Sequence, residues 1–184
     1  MVDWQIWIVS TLAEYEVIRA FMHTTWAWPM AESLHFIGLA LLVGTILVFD
    51  LRLLGVGNRI PVATVHRLIP FGLAGFACNA LTGALFVIAE PDQYVYNPSF
   101  HLKVLFIAIA GLNAGMFYLT SYRRVTAPGA PSTPPRVVKV IAMTSLCLWI
   151  GVIIAGRLLT FHRPWPCGPE GPGVVARCLP DYEP

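Results

Sequence analysis

Charge is what this 184-residue sequence has least of. Asp, Glu, Lys and Arg make up 12% of it, against 57% hydrophobic residues and a mean hydropathy of +0.67. That balance excludes an ordinary soluble domain, in which about a quarter of the residues are charged. The net charge of only +2 and the absence of a basic stripe argue against nucleic acid as a partner. No Walker loop, dinucleotide fingerprint, nucleophile elbow or zinc-protease helix is present, so soluble-type hydrolase chemistry is not expected. A cleavable signal peptide is not expected either. The first 25 residues lack a basic leader and carry Glu14 and Glu16 where its apolar run would lie.

The places where charge is missing altogether predict the fold. Residues 33–49, 68–89, 104–122 and 140–156 contain no Asp, Glu, Lys or Arg. With their flanks each approaches the roughly 20 residues that a helix needs to cross a bilayer. The expected architecture is all-α, a transmembrane four-helix up-down bundle over residues 29–162, with spans at about 30–51, 68–90, 100–122 and 137–160. Short loops are expected to make sequential helices antiparallel neighbours, with a proline-rich linker over residues 128–135.

The remaining charges predict orientation. Seven of the 12 basic residues (Arg52, Arg59, Arg67, Arg123, Arg124, Arg136 and Lys139) fall in the two loops on one side. Nine of the ten acids (Asp3, Glu14, Glu16, Glu32, Glu90, Asp92, Glu170, Asp181 and Glu183) fall on the other, leaving Asp50 alone among the bases. Basic loops stay cytoplasmic, so both termini are expected outside. Asp50 reads as an ion-pair anchor for Arg67 or Arg123.

Residues 1–28 read differently. Trp4, Ile8, Leu12, Tyr15, Ile18 and Met22 recur at three- and four-residue steps, the stripe of an amphipathic helix. A span here would carry Glu14, Glu16 and Arg19 into hydrocarbon, so a helix lying on the outer interface is favoured over a fifth span. Trp26, Trp28 and Pro29 mark its turn into the bundle.

Cysteine is scarce, four in all, and falls into two classes. Cys78 and Cys147 lie inside apolar runs and read as small core residues. Cys167 and Cys178 flank a Pro/Gly-rich stretch of the tail, residues 163–184, and are expected to form a disulfide if that tail lies outside. A metal clip with His162 is the alternative.

Histidine carries the functional expectation. His23, His35, His101 and His162 map to the outer half, and only His66 to the inner end. His23 and His162 read as interfacial residues, and His66 as part of the basic surface. His35 lies about 9 Å into the first span, counted from Pro29, where a polar ring is expected to face the bundle interior. His101 opens the third span, which runs in the same direction. The two imidazoles can therefore reach similar depth on diagonal helices and hold one heme iron between them. Gly38, Gly44 and Thr45 keep the first helix slender, which points more to close helix packing than to cofactor clearance.

The stretches LHFIGLALLVGTILVFDLRLLG and HLKVLFIAIAGLNAGMFY resemble the paired helices of HemJ-type protoporphyrinogen oxidases and CopD copper-resistance proteins. WPMAESLHFIGLA, FDLRLLG and AGRLLTF look closer to an uncharacterised family of small bacterial inner-membrane proteins. The HemJ resemblance implies a heme-associated histidine and lysine, matching His35 and Lys103 by position. The aromatic residues and second histidines of those helices are missing, so oxidase activity does not carry over.

Three readings follow. One is a b-type heme protein in electron transfer, with His35 and either His101 or Lys103 as axial ligands and Arg157 clamping a propionate or snorkelling to lipid. A quinone, a periplasmic redox protein or other membrane subunits would then be its partners. The second is a copper site made by Glu32, His35 and His101. The third is a membrane scaffold or subunit whose histidines bond across helices. Asn79 and Asn113, near the centres of spans two and three, are expected to make cross-helix hydrogen bonds.

Overall fold

The computed structural model describes residues 3–127, 129–130 and 133–162. Among these residues there are helices and no strands. The predicted pairing of Cys167 with Cys178 lies outside them.

Four helices are long and apolar enough to cross a membrane: α3 (Ala27–Leu54), the continuous pair α4 (Val62–His66) and α5 (Ile69–Ala89), α7 (Pro98–Thr120), and α9 (Arg136–Leu158). At 1.5 Å per residue, α3 is about 42 Å long, more than the roughly 30 Å of hydrocarbon. The protein is therefore an all-α membrane protein built on a four-helix bundle. Large apolar side chains such as Phe36, Ile37, Leu81, Leu112 and Leu119 stay exposed on its flanks, as a lipid environment allows. One end of the bundle carries Glu14, Glu16, Glu32, Glu90 and Asp92, and the other carries the arginines of the two opposite loops. These are the acidic and the basic end below.

The sequence sets the helix ends. Gly55, at φ 111°, stops α3: its N–H donates to Arg52 O, and Val56 N–H reaches back to Leu51 O at 2.9 Å. Only glycine takes that left-handed conformation without steric cost. Asn97 starts α7, its Oδ1 accepting from Ser99 N–H at 3.0 Å with Pro98 at the first helical position. Its Nδ2 donates to Leu159 O at 3.0 Å, so this fully buried side chain also ties α7 to the end of α9.

Packing runs in the order α5, α3, α9, α7. The closest crossing joins α3 to α5 through glycine. A Cβ on Gly75 would sit 2.6 Å from Gly38 O and 2.7 Å from Leu42 N, so two backbones touch where a side chain would separate them. The slender face of α3 thus serves helix packing at Gly38 and at Thr45, which lies against Gly72, whereas Gly44 faces open space. Sequential neighbours hold for α3 with α5 and for α7 with α9, but α5 and α7 make at most glancing contact. The loop between them folds into α6 (Pro91–Val95), which packs on both and spaces them apart.

The N-terminal segment departs from the single predicted stripe. It breaks at Glu14 and Tyr15 into α1 (Asp3–Ala13) and α2 (Glu16–Met22), both far too short to span. Met22 is fully buried and Ile8, Leu12 and Ile18 half-buried, but Trp4 and Tyr15 are exposed. Gln5 is buried instead, donating to Val95 O at 3.2 Å, because α1 packs on α6. α2 packs on α5.

Candidate functional site

The four spans enclose a cavity of about 390 Å³, at the lower end of the range for small-molecule sites. All four contribute walls: Leu42 to Leu53 on α3, Ile69 to Phe76 on α5, Ile107 to Tyr118 on α7, and Ile141 to Trp149 on α9. It runs from mid-bundle to the basic end. The lining is apolar and rich in aromatic rings, with Thr45, Asp50, Asn113, Ser145 and Tyr118 as its polar side chains.

Asp50 is 4% exposed. It does not anchor an ion pair with Arg67 or Arg123, since the one salt bridge among the described residues joins His23 to Glu90 at 3.5 Å. The helix turn that carries it faces the bundle rather than the loops. Ser145 lies beside its carboxyl group, and among the described residues Asp50 Oδ2 stays buried without a hydrogen-bond partner. Arg52, one turn-fraction further on, is turned the other way and donates through Nε to Ile60 O.

Beside the cavity, His66 Nε2 lies 3.0 Å from the Tyr118 hydroxyl, and its ring is tilted against Tyr122 at 4.8 Å and edge-on to Phe49 at 5.9 Å. His66 is thus part of an aromatic cluster that closes the basic end, rather than a free surface residue. Asn113 donates across helices to Ile141 O at 3.1 Å, as expected, whereas Asn79 bonds Gly75 O in its own helix.

The histidines nearer the acidic end find other partners. His35 Nδ1 lies 2.8 Å from Thr82 Oγ1, and the ring sits edge-on to Phe86 at 5.7 Å, so it faces α5. His101 Nε2 lies 2.9 Å from Val95 O, with Trp4 6.0 Å away, so it faces α6 and α1. The ring of His101 is turned out of the bundle toward Val95 O, the same carbonyl that accepts from Gln5 Nε2. Lys103 lies along α9, where a Cβ on Gly156 would be 3.8 Å from its Nζ, yet it remains close enough to His35 to interact electrostatically. Arg157 is exposed, its guanidinium 5.9 Å from the Phe161 ring, a cation–π contact. His162 Nδ1 lies 2.8 Å from Ser99 Oγ. Cys78 donates to Leu34 O, and both Cys78 and Cys147 are free thiols.

The copper set is not assembled. Among the described residues no group of three or more His, Cys, Asp or Glu is placed to hold a metal ion, so Glu32, His35 and His101 do not converge. Glu32 is exposed, His35 turns to α5 and His101 to α6. At the acidic end, partial desolvation of the otherwise exposed Asp92 raises its carboxyl above the ordinary carboxylate range, with the Arg19 charge opposing.

Residues 18–162, the bundle and all but the first two residues of α2, match a family described as "Family of unknown function (DUF6644)". The chain belongs to that family. Nothing among the curated proteins or the solved structures matches it. The cavity residues all fall within the matched family region, as do His35, His101, Lys103 and Arg157.

Proposed function

We propose that this protein binds one lipophilic small molecule in the cavity between its four spanning helices. The carrying observation is the cavity itself, walled by every helix of the bundle and apolar except for a few convergent polar groups. Its ligand would come from the bilayer, through the side where α5 and α7 stand apart. By the positive-inside rule the basic end, and with it the cavity floor, faces the cytoplasm of a bacterial inner membrane, and the acidic end faces the periplasm. A quinone pool is the natural lipid-soluble source, and a larger membrane complex the natural setting.

Native mass spectrometry of the intact protein released from detergent tests this. Wild type should retain a small-molecule adduct at one copy per chain. Gly111→Phe should lose it, because Gly111 lines the cavity and a Cβ there meets nothing within 4 Å. A wild-type protein without adduct, able to take up no added lipophile, would defeat the reading.

A b-type heme in the outer half is the second reading. In its favour, His35 Nε2 makes no hydrogen bond among the described residues, and Lys103 is near enough for its charge to act on the ring. Against it, neither residue lines the cavity, and the Nε2 of His101 is engaged by Val95 O. The present side-chain arrangement therefore fits a heme poorly. A reduced-minus-oxidised absorption spectrum decides it: a Soret band lost in His35→Ala supports the heme, and a colourless heme-replete preparation removes it.

A further inference from the structure

We propose that the occupant of the cavity carries a hydroxyl on a flat ring, a quinol-type molecule, and that Asp50 accepts the hydrogen bond of that hydroxyl. This rests on the cavity reading and adds the chemistry of the ligand. Asp50 is the acid on the cavity wall, and it is buried to within 4% of its surface. A carboxyl group in an apolar membrane interior is costly unless its oxygens are bonded. Ser145 approaches the group from α9, but among the described residues Oδ2 has no hydrogen-bond partner and Asp50 makes no ion pair.

The side chains around it select what completes the set. Phe49, Phe76, Phe117, Tyr118 and Trp149 line the cavity, giving ring faces and edges on all four helices. Aromatic rings pack offset or edge-on against one another, so a planar ring is held better here than a flexible chain. An acyl chain would fill the volume and leave Asp50 Oδ2 unsatisfied. A fatty acid would bring a second carboxyl group against the first. A phenolic hydroxyl supplies the missing donor without added charge, and the molecule that bears it dissolves in the bilayer beyond α5 and α7. The proposal concerns binding alone and involves no electron transfer.

The test uses an alkyl hydroquinone and its dimethyl ether with the same tail, titrated anaerobically into the detergent-solubilised full-length protein. Quenching of tryptophan fluorescence reports binding, since Trp149 lines the cavity. Wild type should bind the hydroquinone at least tenfold more tightly than the ether, and Asp50→Ala should reduce that ratio to near one while still binding the ether. Ser145→Ala, which leaves Asp50 in place, should keep a preference for the hydroquinone.

Equal affinity of wild type for both probes, or an unchanged ratio in Asp50→Ala, would overturn the assignment of Asp50 and leave the cavity reading intact. Failure of wild type to bind either probe would overturn both. The comparison of the two probes on wild type stands even if Asp50→Ala fails to fold.

Discussion

The Tyr118 hydroxyl on α7 and the His66 ring at the start of the second span meet at 3.0 Å. This bond bridges two spans that elsewhere barely touch, and it does so at the floor of the cavity, which Tyr118 also lines. Phe117 and Tyr122 brace it, with ring centroids 5.5 and 5.3 Å from that of Tyr118. The cavity is thereby closed toward the basic end and left open between α5 and α7.

Tyr118→Phe isolates that bond. It keeps the ring contacts and removes the hydroxyl, so thermal unfolding in detergent should show a loss of about 0.5–1.5 kcal/mol. Tyr118→Ala should cost more, because the ring cluster goes with it. Equal stability of wild type and both variants would mean that the cluster does not hold the floor.

The glycine crossing makes a sharper claim. In Gly75→Ala the new methyl would meet Gly38 O and Leu42 N, both backbone atoms of α3 that cannot turn aside. Overpacking of this kind costs about 1–3 kcal/mol. Gly44→Ala, where nothing lies within 4 Å, should instead be neutral or slightly stabilising, since alanine favours a helix by up to about 1 kcal/mol. Denaturant titration of the two variants side by side checks the contrast.

Asn97 performs two tasks that different substitutions separate. Asn97→Asp keeps an oxygen to cap α7 and loses the donor to Leu159 O, whereas Asn97→Ala loses both. The alanine variant should be destabilised by about 2 kcal/mol and the aspartate variant by less, as read by melting temperature. Equal losses would show that the cap contributes nothing.

Topology is checked by chemistry at two exposed positions. A cysteine in place of Asp92 should react with an impermeant thiol reagent from the periplasm, and one in place of Thr133 only after the membrane is opened. Reaction of both from one side would contradict the single span, α7, that lies between them.

The four spans were legible because a bilayer punishes charge, and the charge-free stretches coincide with α3, α5, α7 and α9. Long-range placement was not. Spacing alone put His35 and His101 at one depth, but which way a ring turns depends on the hydrogen-bond partner within its reach: Thr82 for one, Val95 O for the other. The gap between α5 and α7 was hidden too, because the loop that spaces them reads as a turn and folds as α6. Asp50 did carry a signal, as the one acid among the bases, yet its meaning depended on the face of α3 it occupies. Ser145, Trp149 and Tyr118 gave none, being ordinary residues until four helices bring them together.

Photolabelling tests the central claim most directly. A small lipophilic diazirine, activated in native membranes and mapped by peptide sequencing, reports where an apolar molecule dwells. Occupancy of the cavity predicts insertion at inward positions such as Leu42, Ile107 and Trp149, suppressed by excess alkyl hydroquinone and absent in Gly111→Phe. Insertion confined to outward residues such as Leu81, Leu112 and Leu119, with no competition, would contradict the account.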